Sequence, residues 1–291
     1  MGKTISIPAD LFPDSECPEF PGRTALWLYN STQSCIKAQV MMKKNLFSFL
    51  LEGEKTVHRP GDPIRIGAGQ FLLVAGGNCL MTEKLSANGR YRSLLFFFDD
   101  GLLTDFFLKY PALAGQAGGG EPMVRFETDA FIGNFLHSLE LLLQQPPPSQ
   151  GALQQLKLEE LLLYLAGKYP QQLQTLRRPP RGDSGDEQLK AAVEGNLNHA
   201  ITVEELAFIC NMSLSTFNRR FTRLYGTTPN KWLLQRRMEQ AAALLNGREK
   251  PSEVYLKVGY ENHSSFTQSF KQVYGVTPSA FQKQRKMNVY P

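Results

Sequence analysis

A chain of 291 residues with 42% apolar side chains exceeds the usual size of one domain and can bury a substantial core, so two domains are expected. It has no run of eighteen apolar residues and no continuous apolar stretch from Met1 to Leu11, which excludes a helical membrane span and argues against a secretory leader, so a cytoplasmic location is expected. The net charge of +5 is lodged in one place: from Asp186 to Pro291 there are 14 Lys and Arg against 9 Asp and Glu, whereas the first 185 residues carry 18 of each sign. An excess confined to the last third suits a domain that holds phosphates.

Between Ala38 and Phe98, short apolar runs alternate with turn residues: Phe47 to Leu51, Lys55 to Val57, Gln70 to Val74 and Leu94 to Phe98, separated by Glu52-Gly53, Pro60-Gly61-Asp62 and Gly76-Gly77-Asn78. Short strands joined by Gly-rich turns predict a small β-barrel or jelly roll. From Gly101 the pattern turns helical, with Phe131 to Leu143 and then Leu153 to Lys168. In the second of these, Leu158, Leu161, Leu162 and Leu165 form a stripe that either pairs with its twin in a homodimer or packs on its own barrel. Gly118-Gly119-Gly120 reads as a flexible loop. Gln171 to Glu187, with Pro-Pro, two glycines and no apolar period, reads as a linker. The expected division is a first domain over 1–170, a linker over 171–185 and a second domain over 186–291. The four scattered cysteines, Cys17, Cys35, Cys79 and Cys210, make no C-x-x-C pair and are read as reduced thiols.

The last third repeats itself. Phe217, Phe221, Tyr225, Gly226, Thr228 and Pro229 recur as Phe266, Phe270, Tyr274, Gly275, Thr277 and Pro278, all at an offset of 49. Each copy has helix-turn-helix grammar. In the first, Thr202 and Glu205 form a capping-box pattern, Asn211-Met212 supplies the turn, and Ser213 caps a second helix to about Leu224. On that helix Leu214, Phe217, Phe221 and Leu224 are expected to face the core. In the second copy Pro251 opens a helix, Val258-Gly259-Tyr260 turns, and Asn262 or His263 starts the next helix. A long helix from Asn230 to Asn246 lies between the two, and its length sets their spacing. Two such readers about one duplex turn apart, roughly 34 Å, enter successive major grooves. The residues assigned to DNA are Ser215, Thr216, Asn218, Arg219, Thr222 and Arg223 in the first copy, and His263, Ser264, Thr267, Gln268 and Lys271 in the second. These side chains hydrogen-bond base edges or phosphates. Arg220, Lys231, Arg236 and Arg237 are read as phosphate contacts or solvated charges.

Over about Asp186 to Arg285 the sequence resembles the AraC/XylS family of transcription regulators. The resemblance rests on Thr202 to Ala207, Ser213, Phe217-x-Arg219-x-Phe221, Gly226-x-x-Pro229, Gly259-Tyr260, Phe266, Phe270 and Gly275-x-x-Pro278. It implies a seven-helix domain with two readers, acting as an activator that binds double-stranded promoter DNA and contacts RNA polymerase. Gln268 stands where many members carry Arg, and Tyr255 where a small residue is common, which implies a weaker or altered second reader. Leu50 to Glu54 with Thr56-Val57, and Leu156-Lys157-x-Glu159-Glu160-Leu161-Leu162, are similar to the branch that activates type III secretion genes. In that branch the N-terminal domain is cupin-like and serves self-association and capture by an antiactivator protein. Sugar-responsive relatives bind a small ligand there instead, which would make the chain a metabolite-responsive regulator of catabolic or stress genes. The expected architecture is therefore α+β: a cupin-like β-barrel with flanking helices, then an all-α domain with two helix-turn-helix units.

Enzymatic readings find little support. His58 is the sole histidine of the barrel region, too few for a metal-holding cupin, and there is no Walker-type phosphate loop or triad motif. No metal, cofactor or catalytic residue is expected. Phe71, Leu73 and Phe97 either line a ligand pocket or simply fill the core.

Overall fold

The computed structural model describes residues 4–11, 23–113, 123–145, 147–174, 185–197, 199, 201–247, 249–260 and 262–287, of which 147–150, 174 and 285–287 are described by their backbone alone. Cys17, Gly118-Gly119-Gly120 and linker positions 175–184 lie outside the described residues. The chain divides into two compact units, Met1–Arg59 with Pro63–Ser184, and Pro60–Asp62 with Gly185–Pro291.

Among its described residues the first unit contains ten strands: β1 Ile5–Ile7, β2 Thr24–Ser31, β3 Cys35–Met42, β4 Asn45–Glu52, β5 Glu54–His58, β6 Ile64–Gly67, β7 Gln70–Val74, β8 Gly77–Lys84, β9 Tyr91–Phe98 and β10 Met123–Glu127. Among the described residues they form two five-stranded sheets rather than one closed barrel, ordered β1-β3-β8-β5-β6 and β10-β7-β4-β9-β2. The tight β4–β5 turn needs glycine. Gly53 has φ 98°, and a Cβ there would stand 2.6 Å from the Lys84 carbonyl oxygen. Four helices belong to the same unit: α1 Asp100–Lys109, α2 Ala130–Leu142, α3 Pro147–Lys168 and α4 Pro170–Gln174. Asp99 and Asp129 cap α1 and α2, accepting from the amides of Leu102 and Ile132 at 2.9 Å each.

The second sheet is covered on both faces, and its central strands β4, β7 and β9 therefore carry long apolar runs in place of a strict alternation. In β4, Leu46 and Leu50 face the first sheet and pack with Val40, Val57, Met81 and Phe97. Phe47 and Phe49 face the helices and stack with Phe98 and Phe71 at ring separations of 5.3 and 4.8 Å. Phe71, Leu73 and Phe97 are buried in these two cores, so the pocket reading gives way to packing. Within the inter-sheet layer sits a polar cluster. Lys55 Nζ lies 3.4 Å from Glu83 Oε1 and donates to Ser48 Oγ at 3.0 Å, and Ser48 and Ser93 hydroxyls meet at 3.1 Å. Burial first, and the neighbouring Glu83 second, push the Tyr91 phenol well above its usual range, so it stays neutral beside this pair.

The dimer stripe read from the sequence is corrected here. Leu158, Leu161, Leu162 and Leu165 are at most 2% exposed and pack with Phe49, Phe135 and Leu139 in the core of their own unit. What α3 leaves in solvent is a different set, Leu153, Leu156 and Leu163, at 41%, 61% and 38% exposure. Residues 171–174, expected as linker, belong instead to α4, whose Leu173 is buried in the same core.

The second unit holds seven helices among its described residues: α5 Gly185–Gly195, α6 Val203–Ile209, α7 Leu214–Tyr225, α8 Pro229–Asn246, α9 Pro251–Lys257, α10 His263–Tyr274 and α11 Pro278–Met287. Cys35, Cys79 and Cys210 are unpaired thiols, and burial pushes the latter two up to about 11 and about 12. No described helix is long and apolar enough to cross a membrane.

Candidate nucleic-acid interface

The sequence sets the start of each reader through its caps. Thr202 Oγ1 accepts from the Glu205 amide at 3.1 Å while Glu205 Oε2 accepts from the Thr202 amide at 2.8 Å, a complete capping box for α6. The chain leaves α6 through Asn211 at φ 56°, the left-handed region that asparagine tolerates, and leaves α9 through Gly259 at φ 80°. Ser213 then caps α7 by accepting from the Thr216 amide at 3.2 Å, and Asn262 caps α10 by accepting from the Ser265 amide at 2.8 Å. Both caps obey the offset of 49, whereas Asn211 and Gly259 differ by 48, so the second turn is one residue longer. Gly226 and Gly275 end α7 and α10 in the left-handed conformation, at φ 69° and 77°. Each reader is 12 residues long.

The two readers are fixed by the same aromatic arrangement. Ring separations within Phe217, Phe221, Tyr225 and Trp232 are 5.8 Å for the first pair, 4.4 Å for Phe221 to Tyr225, and 5.7 and 4.9 Å from Phe221 and Tyr225 to Trp232. In the second copy, Phe266, Phe270, Tyr274 and Phe281 give 5.8, 4.7, 5.3 and 5.2 Å for the same pairs. Trp232 and Phe281 extend the repeat by one more position at the same offset. Extending the self-comparison past Pro229 and accepting aromatic for aromatic would have found them.

With this face packed inward, the opposite face of each helix is open. Ser215, Arg219, Thr222 and Arg223 on α7, and His263, Ser264, Gln268 and Lys271 on α10, are exposed, while Asn218, Thr216 and Thr267 are half-buried. The structure thus brings the two predicted sets onto one polar face per helix. Thr216 spends its hydroxyl on the cap, with Ser213 Oγ at 2.9 Å, and the His263 ring packs edge-on against Tyr255 at 5.8 Å. Arg219 carries no ion pair among the described residues.

Several expectations are corrected. Leu214 is 41% exposed and Leu224 half-buried, so only Phe217 and Phe221 are fully inside. Leu214 opens the first turn of α7, ahead of the ring cluster that covers the rest of its side of the helix. Arg237 is not a phosphate contact. It is half-buried, donates to the Ile201 carbonyl at 2.7 Å, and burial lowers its pKa. Arg236 lies over the Trp232 ring at 5.1 Å and pairs with Glu239 at 3.0 Å. Arg220 and Arg223 meet Asp186 of α5, a partner that no local pattern announces at separations of 34 and 37 residues.

Residues 45–176 match the family model described as the ExsA N-terminal regulatory domain, and residues 206–284 match a helix-turn-helix domain model. The chain is similar to the thermoregulatory protein LcrF of Yersinia pestis, 26% identical over 74% of this chain and 80% of that one. It is 28% identical to the HTH-type transcriptional regulator ExsA of Pseudomonas aeruginosa, over 74% and 77% of the two chains. The virulence regulon transcriptional activator VirF of Yersinia enterocolitica is 30% identical over 50% of this chain and 53% of that one.

Proposed function

We propose that the chain is a transcription regulator of the AraC/XylS family that activates virulence genes, type III secretion genes among them, by binding their promoters sequence-specifically in the cytoplasm, without catalytic chemistry of its own. The observation that carries this reading is the doubled reader: caps, aromatic cluster and polar face recur at one offset, giving two helices of equal length with reading faces of matching position. Between them α8, 18 residues and so about 27 Å long, joins the two helix-turn-helix units along the chain. In the complex Arg219 meets guanine O6 and N7, Asn218 and Gln268 take adenine edges, and Ser215, Ser264 and Thr267 add short hydroxyl contacts. Arg223, Lys271, Thr222 and His263 lie where the phosphates run. The description of VirF as a virulence regulon activator supports the class of target. The test is a genome-wide map of bound DNA in the native cell, together with gel shifts of the strongest site. Binding upstream of a secretion or virulence operon supports the reading; binding confined to catabolic operons moves the first unit to metabolite sensing.

The activator works with RNA polymerase beside the promoter and as a homodimer. The self-association surface is the solvent side of α3, where Leu153, Leu156 and Leu163 keep the spacing of a coiled-coil seam. Leu156 also borders a groove of about 440 Å³ between α1 and α3, floored by Leu102 and Phe106 and rimmed by Asp105, Lys109 and Glu159. A controlling antiactivator protein that docks there competes with the second copy. Leu156→Glu is expected to weaken the dimer about 10- to 100-fold in sedimentation equilibrium, the cost of losing one buried leucine. An unchanged association constant would place the seam elsewhere.

A further inference from the structure

The DNA-binding reading leaves one carboxylate within reach of a reading helix. Asp186, in the first turn of α5, accepts from Arg223 Nη2 at 2.5 Å, and its other oxygen lies 3.6 Å from Arg220 Nη1. Gly185 makes this approach feasible, since a Cβ there would stand 1.9 Å from Arg220 Nη1 and 3.0 Å from its Cζ. The start of α5 is thus shaped around two guanidinium groups from the C-terminal half of α7. Much of each side chain is exposed, 64% of Arg223, 37% of Asp186 and 31% of Arg220, although Asp186 Oδ1, the oxygen facing Arg220, is itself buried. An ion pair this exposed contributes little to stability, so holding the fold is a poor account of it. Its geometry suggests another. A carboxylate and a phosphate offer a guanidinium the same pair of oxygens, and Arg223 stands on the side of α7 where phosphates are expected.

We propose that Asp186 is a positioning residue that stands in for a backbone phosphate at Arg223 in the free protein, so that DNA must displace it. It sets the affinity and salt dependence of the first reader and leaves base preference alone. The physical consequence follows from ion counting. When Arg223 moves to a phosphate, the duplex releases a counterion, but the vacated carboxylate takes one up. Net ion release is then smaller by about one than the number of phosphates neutralised. The residual negative charge beside the duplex also weakens binding to any sequence, which restrains capture by non-specific DNA.

This inference rests on the DNA-binding reading, and the experiment separates the two. Fluorescence anisotropy of the full chain on its strongest promoter duplex and on a scrambled duplex, at several salt concentrations, compares wild type, Asp186→Asn, Arg223→Gln and the double variant. Asp186→Asn is expected to tighten both duplexes alike by about 2- to 5-fold, the range of one exposed ion pair. It should also steepen the slope of log K against log salt by about 0.9. The ratio of specific to scrambled affinity should not move, and in the Arg223→Gln background most of the gain should vanish. Wild-type affinity and slope in Asp186→Asn would overturn the proposal. So would looser binding, which would mean that Asp186 aims Arg223 at DNA rather than competing with it, or a gain that persists without Arg223. If wild type itself shows no salt-dependent duplex binding, the DNA reading fails first.

Discussion

Glu83→Gln is expected to destabilise the N-terminal unit by about 3–5 kcal/mol, the cost of leaving a buried charge without its counter-ion. Lys55 is only 2% exposed and sits between two sheets whose other inward residues are nearly all apolar. Its ammonium is held by Glu83 at 3.4 Å and by Ser48 at 3.0 Å, with the Tyr91 ring 5.8 Å away. An amide in place of the carboxylate keeps the shape and one hydrogen bond but removes the charge, and one serine hydroxyl is too little to replace hydration of an ammonium. For a unit of this size the midpoint should fall by roughly 6–20 °C in thermal denaturation. Lys55→Met with Glu83→Leu should return to within about 1 kcal/mol of wild type, because a matched apolar pair has no such cost. A Glu83→Gln protein that melts with wild type would mean that water reaches Lys55.

The second unit was far more legible than the first, and the reason is the range of the interactions. The bonds that define α6 and α7 span three residues, from Thr202 to Glu205 and from Ser213 to Thr216, so the sequence window contains both partners. The aromatic cluster spans 15 residues in each copy and is repeated, which turns a packing arrangement into a sequence pattern. In the first unit the deciding partners are distant. β4 pairs with β7 and β9, and Phe47 lies across from Leu73 on one side and Phe96 on the other. A strand buried on both faces loses the alternation that would reveal which residues meet the helices. β10 lies beyond α1, where the sequence reads as helical, and is a strand because β7 offers it an edge from Val74 to Gln70. On α3 the sequence offers two leucine stripes, and only the position of the second sheet decides that Leu158, Leu161, Leu162 and Leu165 are the ones covered. The pairing of Asp186 with Arg223 is illegible for the same reason.

At the DNA interface the largest effect is expected at Arg219. Arg219→Ala should lose about 1–3 kcal/mol of discrimination at one guanine, or roughly 5- to 150-fold, because the proposed bidentate guanidinium contact is replaced by a methyl that reads nothing. Arg219 is exposed on α7 with no ion pair among the described residues, whereas Arg223 is paired with Asp186. Its removal should leave the fold intact, since Phe217 and Phe221, not Arg219, hold the helix. Affinity for a scrambled duplex should fall only by the share of one charge. Anisotropy against promoter duplexes carrying each single base-pair change reads this directly: a flattened preference confined to one or two adjacent positions places Arg219 in the groove, and full preference retained at every position would show the reading face to be misassigned. The same duplex set weighs the two readers. Gln268 and Lys271 give α10 no arginine on its face, so substitutions in its half of the site should cost less than those in the half read by α7. Gln268→Arg should deepen preference for guanine in that half, and if it does so while Arg219→Ala flattens the other, the two helices read through equivalent faces.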